Sequence, residues 1–236
     1  AGTTALAEYL NRIGPVFIPP IKEPHFFCAD WPDFRRVKDI NDYQALYQGA
    51  EKKIKGDASV WYLYSKAAAR EIKEYNAEAK VIIMIRRQAE AAYSLHSQLV
   101  YSGREDVLDF EEAWRKQPHR KQGKLLPENH IVKEHLLYRD VYDYPDQIER
   151  YFNVFGRENC LVLVYEEFFS NVEERFGEVL DFLSVSGSYD GEFERINSNR
   201  RHRFERLAHF LMRPPPGLRQ LKEWIKKWPV SYTHLR

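Results

Sequence analysis

The chain has 236 residues and a formal net charge of +1, from 36 lysines and arginines against 35 aspartates and glutamates. That near balance gives no electrostatic case for a nucleic-acid partner, so any anion site must be local. Hydrophobic residues make up 44%, enough for a sizeable core, while two cysteines (Cys28 and Cys160) are too few for a disulfide framework and lack metal-ligand spacing.

In chain order, Gly2 to about Ile13 reads as a first helix with Leu6, Leu10 and Ile13 on one face, stopped by Gly14-Pro15. Gly2-Thr3-Thr4 at its mouth brings free backbone amides, the positive helix end and two hydroxyls to one spot, a local anion site. Taken alone, the same three residues also read as a plain helix cap. Val16-Phe17-Ile18 is a short strand candidate closed by Pro19-Pro20. Residues 28–58 read as polar and loop-rich, with short helices near Pro32–Val37 and Asn41–Gln48. Ser65 is placed to cap a helix through Tyr75.

Lys80–Ile85 is a continuous apolar run, as a parallel strand covered on both faces requires. Arg86 follows it, then a helix from about Ala89 to Tyr101. A short helix over Asp109–Arg115, a basic loop over Arg115–Lys124 and a helix over Tyr144–Phe155 lead to a second buried strand, Cys160–Val164. Helices over Val172–Leu183 and Phe204–Met212 complete the series. Strands separated by helices predict an α/β fold of three layers: a central parallel sheet flanked by helices, P-loop-like in plan. Ligands of such sheets sit beyond the C-terminal strand ends, which sets Gly2-Thr3-Thr4, Glu23 and Arg86 on one rim.

The length predicts one domain, residues 1–229. Residues 230–236 contain Val-Ser-Tyr-Thr-His-Leu, which reads as a translated sequencing adapter or else as an ordinary polar tail. No apolar run reaches the ~18 residues that span a bilayer and no signal peptide is visible, so a cytoplasmic location is expected.

Four blocks carry a resemblance: AGTTALAEYL from Ala1, IKEPHFF from Ile21, WYLYS from Trp61 and KVIIMIRRQAEAAYS from Lys80. In this order they resemble the sulfotransferases that use 3′-phosphoadenosine 5′-phosphosulfate (PAPS), closest to the bacterial and heparan-sulfate-type branch. The resemblance implies that Gly2, Thr3, Thr4 and Ala5 form the 5′-phosphosulfate loop of a P-K-x-G-T-T pattern. The lysine of that pattern would stand immediately before Ala1. By the same resemblance Glu23, of a K-E-x-x-F-F block, is the general base that takes the acceptor's proton. Lys22 would stabilise sulfuryl oxygens or tune Glu23, although a surface salt bridge is the ordinary role of such a pair. His25 reads as a packed histidine beside Phe26-Phe27.

Arg86 and Ser94 match the 3′-phosphate residues of R-[DN]-P-x-x-R-x-x-S, in which this chain has Arg87, Gln88 and Ala91 at the other positions. Trp61, Tyr62 and Tyr64 line the cleft or, more commonly for aromatics before a helix, belong to the core. A loop near Asn197, Asn199, Arg200, Arg201 and Arg203 would close over the donor.

The implied function is sulfuryl transfer from PAPS to a hydroxyl or amine of a small-molecule or glycan acceptor, in a scheme that needs no metal. A P-loop small-molecule kinase is the second expectation. Ala5-Leu6 in place of a phosphate-binding lysine, and Arg86 in place of a strand-end acid, argue against it. The third is a non-catalytic binding module or inactive fragment. A first strand and the loop lysine are expected upstream of Ala1, and the chain as given is then expected to be poorly stable and essentially inactive.

Overall fold

The computed structural model describes residues 2–50, 53–187 and 189. The expected Phe204–Met212 helix, the Asn197–Arg203 stretch and the 230–236 tail lie outside them.

Helix α1 (Thr3–Arg12) buries Ala5, Leu6, Tyr9 and Leu10 along one face. Gly14-Pro15 breaks it, and β1 (Val16–Phe17) follows. β1 pairs in parallel with β2 (Ile54–Lys55), in the register Val16↔Ile54. The segment containing β2 reads as loop in the sequence because both side chains are exposed, leaving no buried alternation to detect. Helix α2 (Ile40–Ala45) is capped by Asp39, whose carboxylate accepts the amides of Asn41 and Asp42. Helix α3 (Ala68–Tyr75) starts where Ser65 Oγ accepts the amides of Ala67 and Ala68 at 3.2 and 3.1 Å.

Strand β3 (Val81–Ile85) pairs in parallel with β4 (Cys160–Val164), from Val81↔Cys160 to Ile85↔Val164. Between them run α4 (Gln88–Tyr101), α5 (Phe110–Arg115), α6 (Gln117–Lys121), α7 (Tyr138–Val141) and α8 (Tyr144–Phe155). After β4 come α9 (Tyr165–Ser170) and α10 (Val172–Leu183). Met84 and Leu163 pack with α1, α9 and α10 on one face of the pair. Ile83 and Cys160 pack with Ala69 of α3 and with Tyr151 and Phe155 of α8 on the other. Burial on both faces is why both strands read as unbroken apolar runs.

Two local expectations are corrected. Pro32–Val37 is a turn, not a helix, because the amides of Arg36 and Val37 both go to the distant carbonyl of Pro24 (3.0 and 3.2 Å) and so form no helical ladder. The Arg115–Lys124 stretch is no exposed basic loop, since α6 occupies its centre and Arg120 is fully buried. Arg120 donates to Glu105 through Nη1 and Nη2 at 2.6 and 2.7 Å, and Tyr138 donates its hydroxyl to the same carboxylate. That partner lies fifteen residues upstream, beyond any local pattern.

Cys28 and Cys160 are both free and buried. Burial pushes the Cys28 thiol up to about 12 and the Cys160 thiol up to about 11. Both therefore stay protonated at neutral pH. A thiol-reactive dye at pH 8 is expected to label neither in the native protein and both in denaturant. Fast labelling of either in the native protein would contradict this packing.

Candidate active site

The C-terminal ends of β3 and β4 form one rim, and α1 starts against it. Gly2 caps α1 with φ +72°, a left-handed conformation that glycine adopts without strain. A Cβ there would lie 2.7 Å from Met84 Sδ and 2.8 Å from both Tyr165 and Phe169. The helix mouth is thus seated near the end of β3, at Met84, and against Tyr165, which follows β4. No side chain caps α1, and the first-turn amides of Thr3, Thr4 and Ala5 have no intrahelical acceptor. The Ala5 side chain is buried in the core, so only its amide can serve the rim.

Arg86 leaves the end of β3 with its guanidinium 4.9 Å from the centre of the Tyr165 ring. Tyr165 thus touches both Gly2 and Arg86, joining two motifs that are more than eighty residues apart in the sequence. The Arg86 amide donates to the Tyr144 hydroxyl at 3.3 Å. Its Nη2 donates to Glu90 at 2.8 Å, and its Nε lies 4.0 Å from Glu166. Glu166 also accepts the Arg87 amide at 3.2 Å. Arg86, Arg87, Tyr144 and Glu166 line a cavity of about 370 Å³, together with Gln88 and Glu167. Arg86 Nε and Glu166 Oε2 are buried there with no hydrogen-bond partner among the described residues. Ser94 lies two turns further along α4, half-buried.

The second group of residues surrounds Glu23. Glu23 and His25 flank the buried Pro24, and both have positive φ, 55° and 50°. Such backbone in non-glycine residues is unusual and concentrates at functional sites. Glu23 Oε2 lies 3.3 Å from His25 Nε2. The His25 ring is buried and stacks on Phe34 at 4.5 Å, and its amide donates to Ser59 Oγ at 3.0 Å. Ser59 in turn donates to Asp57 at 2.7 Å, and that carboxylate also accepts the hydroxyls of Tyr62 and Tyr43. Burial raises the Asp57 carboxyl pKa against those hydrogen bonds.

Lys22 turns away from Glu23 and pairs with Glu8 of α1 at 2.9 Å. Sequence reasoning passed over Asp57, Glu90, Glu166, Arg36 and Arg104. Arg36 donates to the Lys22 carbonyl at 2.9 Å. Burial, together with the charge of Arg36, lowers the Arg104 pKa while Glu23 opposes the shift, so these three charges lie close together. The sequence offered no signal for these residues beyond their charge. Trp61 and Tyr62 are core-facing: Trp61 stacks on His135 at 3.5 Å, and burial lowers that imidazole to a pKa of about 3, leaving it neutral. Among the described residues no group of three or more His, Cys, Asp or Glu is placed to hold a metal ion, and no helix is long and apolar enough to cross a membrane.

No protein-family model and no curated protein sequence matches the chain. Among solved structures it is similar to a sulfotransferase from Alicyclobacillus acidocaldarius, with a TM-score of 0.71 and 29% identity over 84% of this chain and 82% of that one. That neighbour implies a P-loop-like α/β fold, and the two small parallel sheets among helices described above are consistent with it. The shared fold and the four sequence blocks together support a sulfotransferase family for the chain.

Proposed function

We propose that the protein transfers a sulfuryl group from PAPS to a hydroxyl or amine of a carbohydrate acceptor, with Glu23 as the general base. The observation that carries this reading is the meeting of Gly2 and Arg86 on Tyr165, at the C-terminal rim of a parallel strand pair. The residues present suit an adenine nucleotide phosphorylated at both ends. The first-turn amides of α1 and the hydroxyls of Thr3 and Thr4 hold the 5′ end. Arg86, whose buried Nε–H has no acceptor among the described residues, takes the 3′-phosphate together with Ser94.

PAPS supplies the sulfuryl group. Glu23 accepts the proton of the attacking hydroxyl or amine, and His25 holds the carboxylate in place from its buried seat. The salt bridge from Lys22 to Glu8 links the Glu23 turn to α1, whose N-terminus carries the 5′ loop. In this reading Lys22 fixes the turn through Glu8. Positioning and charge stabilisation carry most of the rate in a loose transfer of this kind.

The test is incubation of the full chain with PAPS and a panel of hydroxyl- and amine-bearing sugars, reading release of 3′-phosphoadenosine 5′-phosphate (PAP). Acceptor-dependent release with one SO₃ gained by the acceptor is expected on this reading, against the inactive chain that the sequence taken by itself leads one to expect. PAP that binds while PAPS stays intact with every acceptor would overturn this reading in favour of a non-catalytic nucleotide-binding module.

A further inference from the structure

We propose that Glu90 is a specificity-determining residue of the donor site, holding the guanidinium edge of Arg86 that a 3′-phosphate needs and so weakening the preference for 3′-phosphorylated nucleotides. The inference rests on the donor site proposed above. A phosphate binds a guanidinium most strongly side-on, through the two parallel N–H groups of Nε and Nη2. In this structure Nη2 is already committed to Glu90 Oε2 at 2.8 Å. The neighbouring Nε–H, on the same edge, is buried without a hydrogen-bond acceptor among the described residues. Glu166 Oε1 is 4.0 Å away, too far to satisfy it. Nε is thus unfilled, and one of the two N–H groups of Nη2 beside it is taken by a carboxylate.

Position strengthens the conflict. Arg86, Glu90 and Ser94 are spaced by four residues, and Glu90 and Ser94 share one face of α4, about 6 Å apart along the axis. A phosphate reaching both Arg86 and Ser94 must therefore pass over Glu90. It meets a like charge unless that side chain swings out. Glu90 is 44% exposed, so it can swing into water, whereas Glu166, at 23%, keeps the Arg87 amide and stays. The exchange breaks the bond from Arg86 and the longer one from Arg87 Nη1 at 3.5 Å, and makes two to the phosphate. A nucleotide without the 3′-phosphate leaves the Arg86–Glu90 pair intact.

The experiment is calorimetric titration of the full chain with PAP and, separately, with adenosine 5′-phosphate (AMP), in wild type, Glu90→Gln and Glu78→Gln. The last removes one exposed carboxylate remote from the site and controls for net charge. Glu90→Gln is expected to tighten PAP about fivefold and to change AMP by less than about twofold, with Glu78→Gln changing neither. Unchanged or weaker PAP binding in Glu90→Gln would overturn the proposal, as would equal tightening of both nucleotides. Either of those results leaves the donor site standing, whereas no binding of either nucleotide by wild type and variant overturns both.

Discussion

Glu23→Gln is expected to lower sulfuryl transfer by about 10²- to 10⁴-fold, the usual contribution of a positioned general base. Glutamine keeps the shape and the hydrogen-bonding reach but cannot take a proton from the acceptor. PAP affinity is expected to stay within about twofold, because Glu23 touches none of the residues assigned to the nucleotide. Folding should be little affected, since the Glu23 side chain is one-third exposed and its contact is with His25. Parallel measurement of turnover, PAP binding and the unfolding midpoint separates a lost base from a damaged fold. Near-normal turnover in Glu23→Gln would remove Glu23 from the mechanism.

Arg120→Met is expected to destabilise the protein by about 3–5 kcal/mol, because it leaves the Glu105 carboxylate buried with no counter-charge. Both side chains of the pair are fully inaccessible to solvent. Burial alone would raise the Glu105 pKa, but the hydrogen bonds from Arg120, Tyr138 and the Val107 amide outweigh it and hold the carboxyl below its ordinary 4.5. Burial alone would lower the Arg120 pKa, but the same pairing outweighs it and raises it, so both partners favour their charged forms. A carboxyl lowered on folding stabilises the native state above its unfolded pKa. That contribution is lost as pH falls from about 4.5 through the lowered value. Urea unfolding should therefore show wild-type stability dropping below pH 4.5 with a steeper slope than Arg120→Met. The triple variant Glu105→Leu, Arg120→Met, Tyr138→Phe should recover part of the loss, since no charge is then stranded, although the Asp106 and Val107 amides and the Leu125 carbonyl lose their side-chain partners. A loss under about 1 kcal/mol in Arg120→Met would contradict the buried pairing.

What the sequence made legible follows from how local each signal is. The helix over Tyr144–Phe155, the strand over Cys160–Val164 and the helix over Val172–Leu183 stand where periodicity and apolar runs place them. β2 and α6 were not legible: one exposes both side chains, and the other hides Arg120 through a partner fifteen residues upstream. Arg86 was legible as a strand-end cation, but its carboxylate neighbours Glu90 and Glu166 were not. Glu90 looked like ordinary helix surface, and Glu166 reaches the rim only because β4 lies beside β3. Lys22 and Glu23 are adjacent in the sequence, yet their side chains go to Glu8 and to His25. The positive φ of Glu23 separates them, and a turn of that kind around a proline leaves no periodic trace.

The account rests most directly on the nucleotide's 3′-phosphate lying against Arg86. Calorimetric titration of wild type and Arg86→Met with PAP and AMP reads that contact. Wild type is expected to bind PAP about tenfold more tightly than AMP, the worth of a charge-assisted hydrogen bond, and Arg86→Met is expected to lose that preference. Equal affinity for the two nucleotides in wild type, or a preference that survives in Arg86→Met, would contradict it.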